Sequence, residues 1–182
     1  TTPYPSLNIP AGYCVSQIAI DPNNENRIYA VVREKGVYII TNTASAGGTV
    51  LLRNDAHGLT KDSFNKIGIY SITTDTSDSN VVYAGTYMAA VGHSNGIFRS
   101  TDAGMTWTNI TGNLGPELNI ASISINPHNR YVYIGSFAGT WKLPPPSTTA
   151  IADTAAPNCS ISINGGASST NSTAVSLALS ST

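Results

Sequence analysis

The chain has 182 residues, only 10% of them charged, and a formal net charge of −1. With no basic block to neutralise phosphates, nothing supports nucleic acid as a partner, and no apolar run approaches the ~20 residues of a membrane span. Its two cysteines cannot build a four-ligand zinc site, and no motif implies a metal or any other cofactor.

Charge lies far below the roughly 25% of an average soluble domain, and Ser, Thr, Asn and Gly fill the difference. Such a composition is expected of an exported protein, extracellular, cell-surface or periplasmic. The sequence opens Thr1-Thr2-Pro3 without a Met, as a processed product or a piece of a longer protein would. Cys14 and Cys159 fit either one long-loop disulfide in an oxidising compartment or two buried thiols.

Residues 1–13, with three prolines, read as an extended lead-in. A pattern then begins that recurs. Ile18-Ala19-Ile20-Asp21-Pro22 is followed by a polar stretch and Ile28-Tyr29-Ala30-Val31. Ile72-Thr73-Thr74-Asp75 is followed by Val81-Val82-Tyr83-Ala84-Gly85, and Ile123-Ser124-Ile125-Asn126-Pro127 by Tyr131-Val132-Tyr133-Ile134-Gly135. Asp21 to Asp75 is 54 residues and Asp75 to Asn126 is 51, a period of about fifty. A glycine then opens a third strand in each copy: Gly36–Ile40, Gly96–Arg99 and Gly139–Leu143. The first two copies continue through a turn into a fourth, Thr49–Leu52 and Thr106–Ile110, while the third stops at Leu143.

Alternating β-branched and aromatic runs with Gly, Asn and Asp between them predict strands throughout. No helix is predicted, and Asp62–Lys66 forms at most one turn. Four antiparallel strands per unit is the arithmetic of a β-propeller blade, so residues 14–143 are expected to form two and a half to three blades. The Ile-x-Ile segments should line the central channel and the Val-Tyr-Ala segments should lie mid-blade. A lone blade sheet cannot bury both faces, so a set this small should leave an apolar blade face open to a protein partner or to missing blades.

The turn Ser100-Thr101-Asp102-Ala103-Gly104-Met105-Thr106-Trp107 is the most specific motif in the chain. Ser100, Asp102, Gly104, Thr106 and Trp107 resemble, position by position, the Asp-box (bacterial neuraminidase) repeat of sialidases, sortilin-type receptors, xyloglucan-degrading glycoside hydrolases and photosystem assembly factors. The surrounding unit looks most like the xyloglucanase and sortilin-like branch. In the first unit the box has decayed to Thr41-Asn42-Thr43 and Gly47-Gly48-Thr49-Val50. A turn is what Asp and Gly supply here: the carboxylate accepts from turn amides and hydroxyls, and Gly permits positive φ. No histidine adjoins it, so a nucleophile–base pair is not supported.

Residues 144–157, starting Pro144-Pro145-Pro146, read as a linker. Residues 158–182 hold two alternating runs, Cys159–Ile163 and Ala174–Leu179, around an Asn164-Gly165-Gly166 turn. They resemble the first strands of the immunoglobulin-like modules of bacterial exported proteins, too few to close a sandwich.

Candidate site residues are sparse. The Asp21–Glu25 run lacks the glycine and bidentate Glu of a calcium loop and reads as a hairpin turn, like its counterparts. His57, His93 and His128 stand in different units. A glycosidase needs two carboxylates about 5–9 Å apart across the bond; Asp55 and Asp62 qualify by location alone, in the connection between the first and second units. Arg33, Arg53 and Arg99 fall in unrelated contexts, against a sialidase arginine cluster. The loop 86–95 is the longest middle-strand connection, apolar and aromatic, so Tyr87, Met88, His93 and Asn95 are the binding candidates. In the glycoside hydrolases it resembles, such loops line a sugar groove. Asn109, Asn158 and Asn171 open N-glycan sequons.

The expected function is recognition or structural assembly without catalysis, within an exported multidomain protein and through a glycan or protein partner. The resemblance implies an alternative, the C-terminal part of a propeller glycoside hydrolase whose catalytic residues lie mostly elsewhere. A third option is an assembly factor or accessory subunit of a membrane complex.

Overall fold

The computed structural model describes residues 11–42, 48–62, 64–87, 95–114, 118–146, 159–163 and 177–181. The chain divides within the proline run into two compact units, Thr1–Pro145 and Pro146–Thr182.

The first unit is three antiparallel meanders. The first sheet holds β1 (Val15–Ile20), β2 (Arg27–Val32), β3 (Gly36–Thr41) and β4 (Thr49–Arg53) in that order. The second holds β5 (Ile69–Asp75), β6 (Asp78–Thr86), β7 (Ile97–Ser100) and β8 (Thr108–Asn109). The third holds β9 (Ile120–Ile125), β10 (Val132–Ser136) and β11 (Gly139–Leu143). Among the described residues there is no α-helix, only short 3-10 turns at Asp55–His57 and Gly112–Leu114. In the second unit, β12 (Cys159–Ile163) pairs antiparallel with β13 (Leu177–Ser181).

The sheets stack so that β5 lies beside β1 on one side and β9 on the other. The first strands thus gather on one axis, as in propeller blades. Each carries the same irregularity. The register steps from Val15↔Val32 to Gln17↔Val31, from Ile69↔Thr86 to Ser71↔Gly85, and from Ile120↔Ser136 to Ser122↔Gly135. Ser16, Tyr70 and Ala121 are therefore equivalent bulge residues, and a bulge bends and twists the strand that carries it.

The core lies between sheets. Tyr29, Val31, Val37 and Ile39 of the first blade meet Ile69, Ile72, Val82, Phe98 and Trp107 of the second. On the second blade's other side, Val81, Tyr83 and Ile97 meet Ile120, Ile123, Val132 and Ile134 of the third. Each such aliphatic side chain, fully buried, contributes about 1.5–3 kcal/mol. Strands β2 and β6 are buried on both faces, as expected of mid-blade segments. The inner strands are not uniformly apolar: β9 buries Ile120 and Ile123 but leaves Ser122 and Ser124 exposed. Each inner strand therefore has an aliphatic face and a more polar one.

Two sequence expectations need adjusting. The fourth strand of the second blade is only Thr108–Asn109, because the Asp-box turn holds the chain through Trp107, whose N–H donates to the His57 carbonyl at 2.8 Å. Cys14 carries a free, exposed thiol rather than a buried one.

Candidate functional site

The antiparallel order puts the β1–β2, β5–β6 and β9–β10 turns, with the β7–β8 Asp box, at one end of the blades. The β2–β3, β6–β7 and β10–β11 connections lie at the other. The two ends are built differently.

At the first end polar groups close on one another. Asp21, Asp75 and Asn126 are equivalent, and each accepts from the N–H two residues on: Asn23 at 3.0 Å, Ser77 at 2.8 Å and His128 at 2.9 Å. These are Asx turns, which satisfy the hairpin without a ligand. The second oxygens of both aspartates reach a guanidinium. Arg27 Nη1 stands 3.2 Å from Asp21 Oδ2, and Arg130 Nε, from the third blade, 2.9 Å from Asp75 Oδ2. Ser79 of the second blade donates to Asp21 Oδ1 at 2.8 Å. The clamp therefore crosses from blade to blade.

The Asp box belongs to the same end, and its carboxylate is satisfied within the turn. Asp102 Oδ1 accepts from the Ser100 hydroxyl and the Thr106 N–H, both at 2.8 Å, and Oδ2 from the Thr106 hydroxyl at 2.6 Å. Ser100 Oγ in turn accepts from Gly104 N at 2.8 Å. Ala103 and Gly104 both have positive φ, and a Cβ on Gly104 would stand 2.9 Å from the Tyr29 ring. Tyr29 donates from its hydroxyl to the Ala103 carbonyl at 3.2 Å, so the box is pressed against the preceding blade. Partial burial raises the Asp102 carboxyl, but the hydrogen bonds from Thr106, Ser100 and the Met105 amide outweigh it and hold the group below its ordinary value. Burial raises the Tyr29 and Tyr83 phenols.

The opposite end gathers aromatic rings instead. The Tyr70 and Tyr87 centroids are 5.0 Å apart, and Tyr87 meets Phe137 edge-on at 5.3 Å. Arg33 extends the row, its guanidinium 5.9 Å from the Tyr70 centroid. Backbone bonds fix the rings: Tyr87 N donates to Gly68 O at 2.9 Å and Phe137 N to Asn119 O at 3.2 Å. Phe137 remains 74% exposed. Beside the row, Gly12, Tyr13, Cys14, Arg33 and Glu34 line a hollow of about 160 Å³, and Lys35 Nζ lies 4.3 Å from the Tyr13 ring centroid. An exposed ring at the end of such a row, with cations over the neighbouring rings, can stack on a flat, hydroxylated ligand.

Of the residues singled out in the sequence, Tyr87 stands in this row. Asn95 braces the structure: its Nδ2 donates to Thr60 O and its carbonyl accepts from Asn109 Nδ2, both at 2.8 Å. Met88 and His93 lie outside the described residues. Asp55 pairs with Lys61 at 2.8 Å, which lowers its carboxyl, and Asp62 Oδ1 accepts from Phe64 N and Lys66 N, both at 2.9 Å. Glu34 pairs with Lys66 at 2.9 Å, which raises the ammonium. His57 caps its 3-10 turn and lies 3.1 Å from Arg53 Nη1. Among the described residues no group of three or more His, Cys, Asp or Glu side chains could hold a metal ion.

Sequence reading set Arg33 aside as standing in an unrelated context and did not single out Tyr70 or Phe137. Phe137 gave a signal: a large ring in a tight turn, between Ser136 and Ala138, has no local packing role.

Three stacked antiparallel meanders of this kind are β-propeller blades. No protein-family model and no curated protein matches the chain. A solved structure does: the GH74 xyloglucanase from Xanthomonas campestris, with a TM-score of 0.54 and 22% identity over 76% of this chain. The matched part is 20% of that protein's length, and at this identity the likeness speaks for the fold.

Proposed function

We propose that this chain is a recognition module of an exported multidomain protein and binds a polysaccharide through the aromatic end of its blades, without cleaving it. One observation carries the reading: Arg33, Tyr70, Tyr87 and Phe137, drawn from all three blades, form a continuous row whose last ring is largely free. Among the described residues the opposite end offers nothing comparable, since its carboxylates are engaged by Arg27, Arg130 and the Asp-box hydroxyls. The exposed Phe137 ring, braced edge-on by Tyr87, suits the apolar face of a glucan backbone.

The fold likeness to a xyloglucanase favours a second reading, in which the chain supplies a few blades of a glycoside hydrolase whose catalytic carboxylates lie elsewhere. Titration of the chain with soluble xyloglucan, alongside an assay for new reducing ends, separates the two. Recognition predicts saturable binding, about tenfold weaker in Phe137→Ala, with no reducing ends. Cleavage, or binding indifferent to Phe137→Ala and Tyr87→Ala, would overturn it.

A further inference from the structure

The blade interfaces follow one rule. Every blade turns the aliphatic face of its inner strand towards the blade before it and a face bearing a tyrosine towards the blade after it. Aligned on the shared bulge, the aliphatic positions are Val15, Ile18 and Ile20 in the first blade, Ile69, Ile72 and Thr74 in the second, and Ile120, Ile123 and Ile125 in the third. The tyrosines are Tyr29, Tyr83 and Tyr133.

Burial divides these sets at the two ends of the array. Ile69, Ile72, Ile120 and Ile123 are buried by the preceding blade, whereas Ile18 and Ile20 are 59% and 56% exposed and Val15 is exposed as well. Farther out on that face, Ala30, Val32, Tyr38 and Ile40 are buried, so the open strip is the inner strand itself. Tyr29 and Tyr83 are buried by the following blade, whereas Tyr133 is 43% exposed. The glycines agree. A Cβ on Gly85 would stand 2.5 Å from Ile120 of the next blade, but one on the equivalent Gly135 would meet only Ser122 of its own sheet.

The open strips on the two end blades are therefore the two sides of the inner-strand contact seen twice within the chain. We infer that a second copy of this chain docks head to tail, the Val15–Ile20 strand of one copy lying on the Ser122, Ser124, Tyr133 and Gly135 face of the other. The inner strand is the part that matters, because β1 against β5 and β5 against β9 carry the internal interfaces. The polar face also keeps an acceptor in place, although Ala121 stands where the first blade has the donor Ser16. Between the first two blades, Ser16 donates to Tyr70 O at 3.1 Å and Gln17 accepts from Ile72 N at 3.0 Å. Ser122, the equivalent of Gln17, is exposed and offers a hydroxyl for the same use. A heterologous contact of this kind closes into a ring when its rotation allows, and two sets of three blades fall within the roughly 4–8 of known propellers.

Sedimentation equilibrium of the full chain tests this. The wild type should reach about twice the monomer mass, the size of the smallest closed ring, in a concentration-dependent manner. Ile18→Asp on the aliphatic face and Tyr133→Asp on the tyrosine face should each return the monomer. An equimolar mixture of the two variants should associate again, because one intact interface survives between them. Ile20→Lys and Ser124→Arg repeat the design at other exposed positions, with far-UV circular dichroism showing that each variant stays folded. A wild type that is monomeric at every soluble concentration would overturn the inference. So would single variants that still dimerise, or folded variants that do not associate when mixed.

Discussion

The two ends of the blades use similar residues to opposite purposes. At the Asx-turn end, Asp21, Asp75 and Asp102 all have close donors, and the donors often come from a neighbouring blade. At the aromatic end, the contacts between Tyr70, Tyr87 and Phe137 are ring against ring, and Phe137 is left largely to solvent. Polar groups that satisfy one another cost little to bury and leave nothing for a ligand. An exposed ring held at the end of a fixed row does the reverse. The first end is a clamp, and the second is where recognition can take place.

The sharpest way to break this division is Arg130→Met. Asp75 is buried, and removing its guanidinium leaves an uncompensated charge between the second and third blades. A loss of about 3–5 kcal/mol is expected in urea unfolding, with ligand affinity unchanged wherever the protein remains folded. Asp102→Ala comes next. It removes the acceptor for Ser100 and Thr106 at a partly exposed turn and should cost about 1–2 kcal/mol by the same measurement.

The pH dependence follows the same order. The folded Asp102 carboxyl lies below its unfolded value, so its contribution is fully present above the ordinary carboxylate range near about 3.9. It is lost as pH falls through the lower folded value. Asp102→Asn should flatten that acid limb of stability, seen by thermal melts between roughly pH 5 and pH 2. The smallest stability change belongs to the other end: Phe137→Ala should stay within about 0.5 kcal/mol while removing most of the affinity for glucan. If it unfolded the protein, the division of labour between the ends would be wrong.

Much of the scaffold was legible in the sequence because its signals are local. Tyr83 and Ile72 fall on period-two alternations, and Ser100, Asp102, Gly104 and Thr106 together spell out a turn whose carboxylate is satisfied by its own neighbours. The partners that cross between blades left no such trace. Nothing local links Arg130 to Asp75, because alternation says which face a residue occupies and not which sheet lies opposite. The binding row was only partly visible for the same reason. Tyr87 stood in a long apolar loop and drew notice, but Tyr70 sits at a bulge that turns it out of the expected alternation, and Phe137 comes from another blade. Their meeting is a product of blade stacking.

The most direct test of the recognition claim is an amide NMR titration of the chain with a xyloglucan oligosaccharide. Binding at the aromatic end predicts saturable shifts concentrated at residues 33–35, 70, 87 and 137–138, with the 21–27, 75–79 and 100–107 turns unmoved. Shifts centred on those turns, or none at saturating ligand, would contradict it.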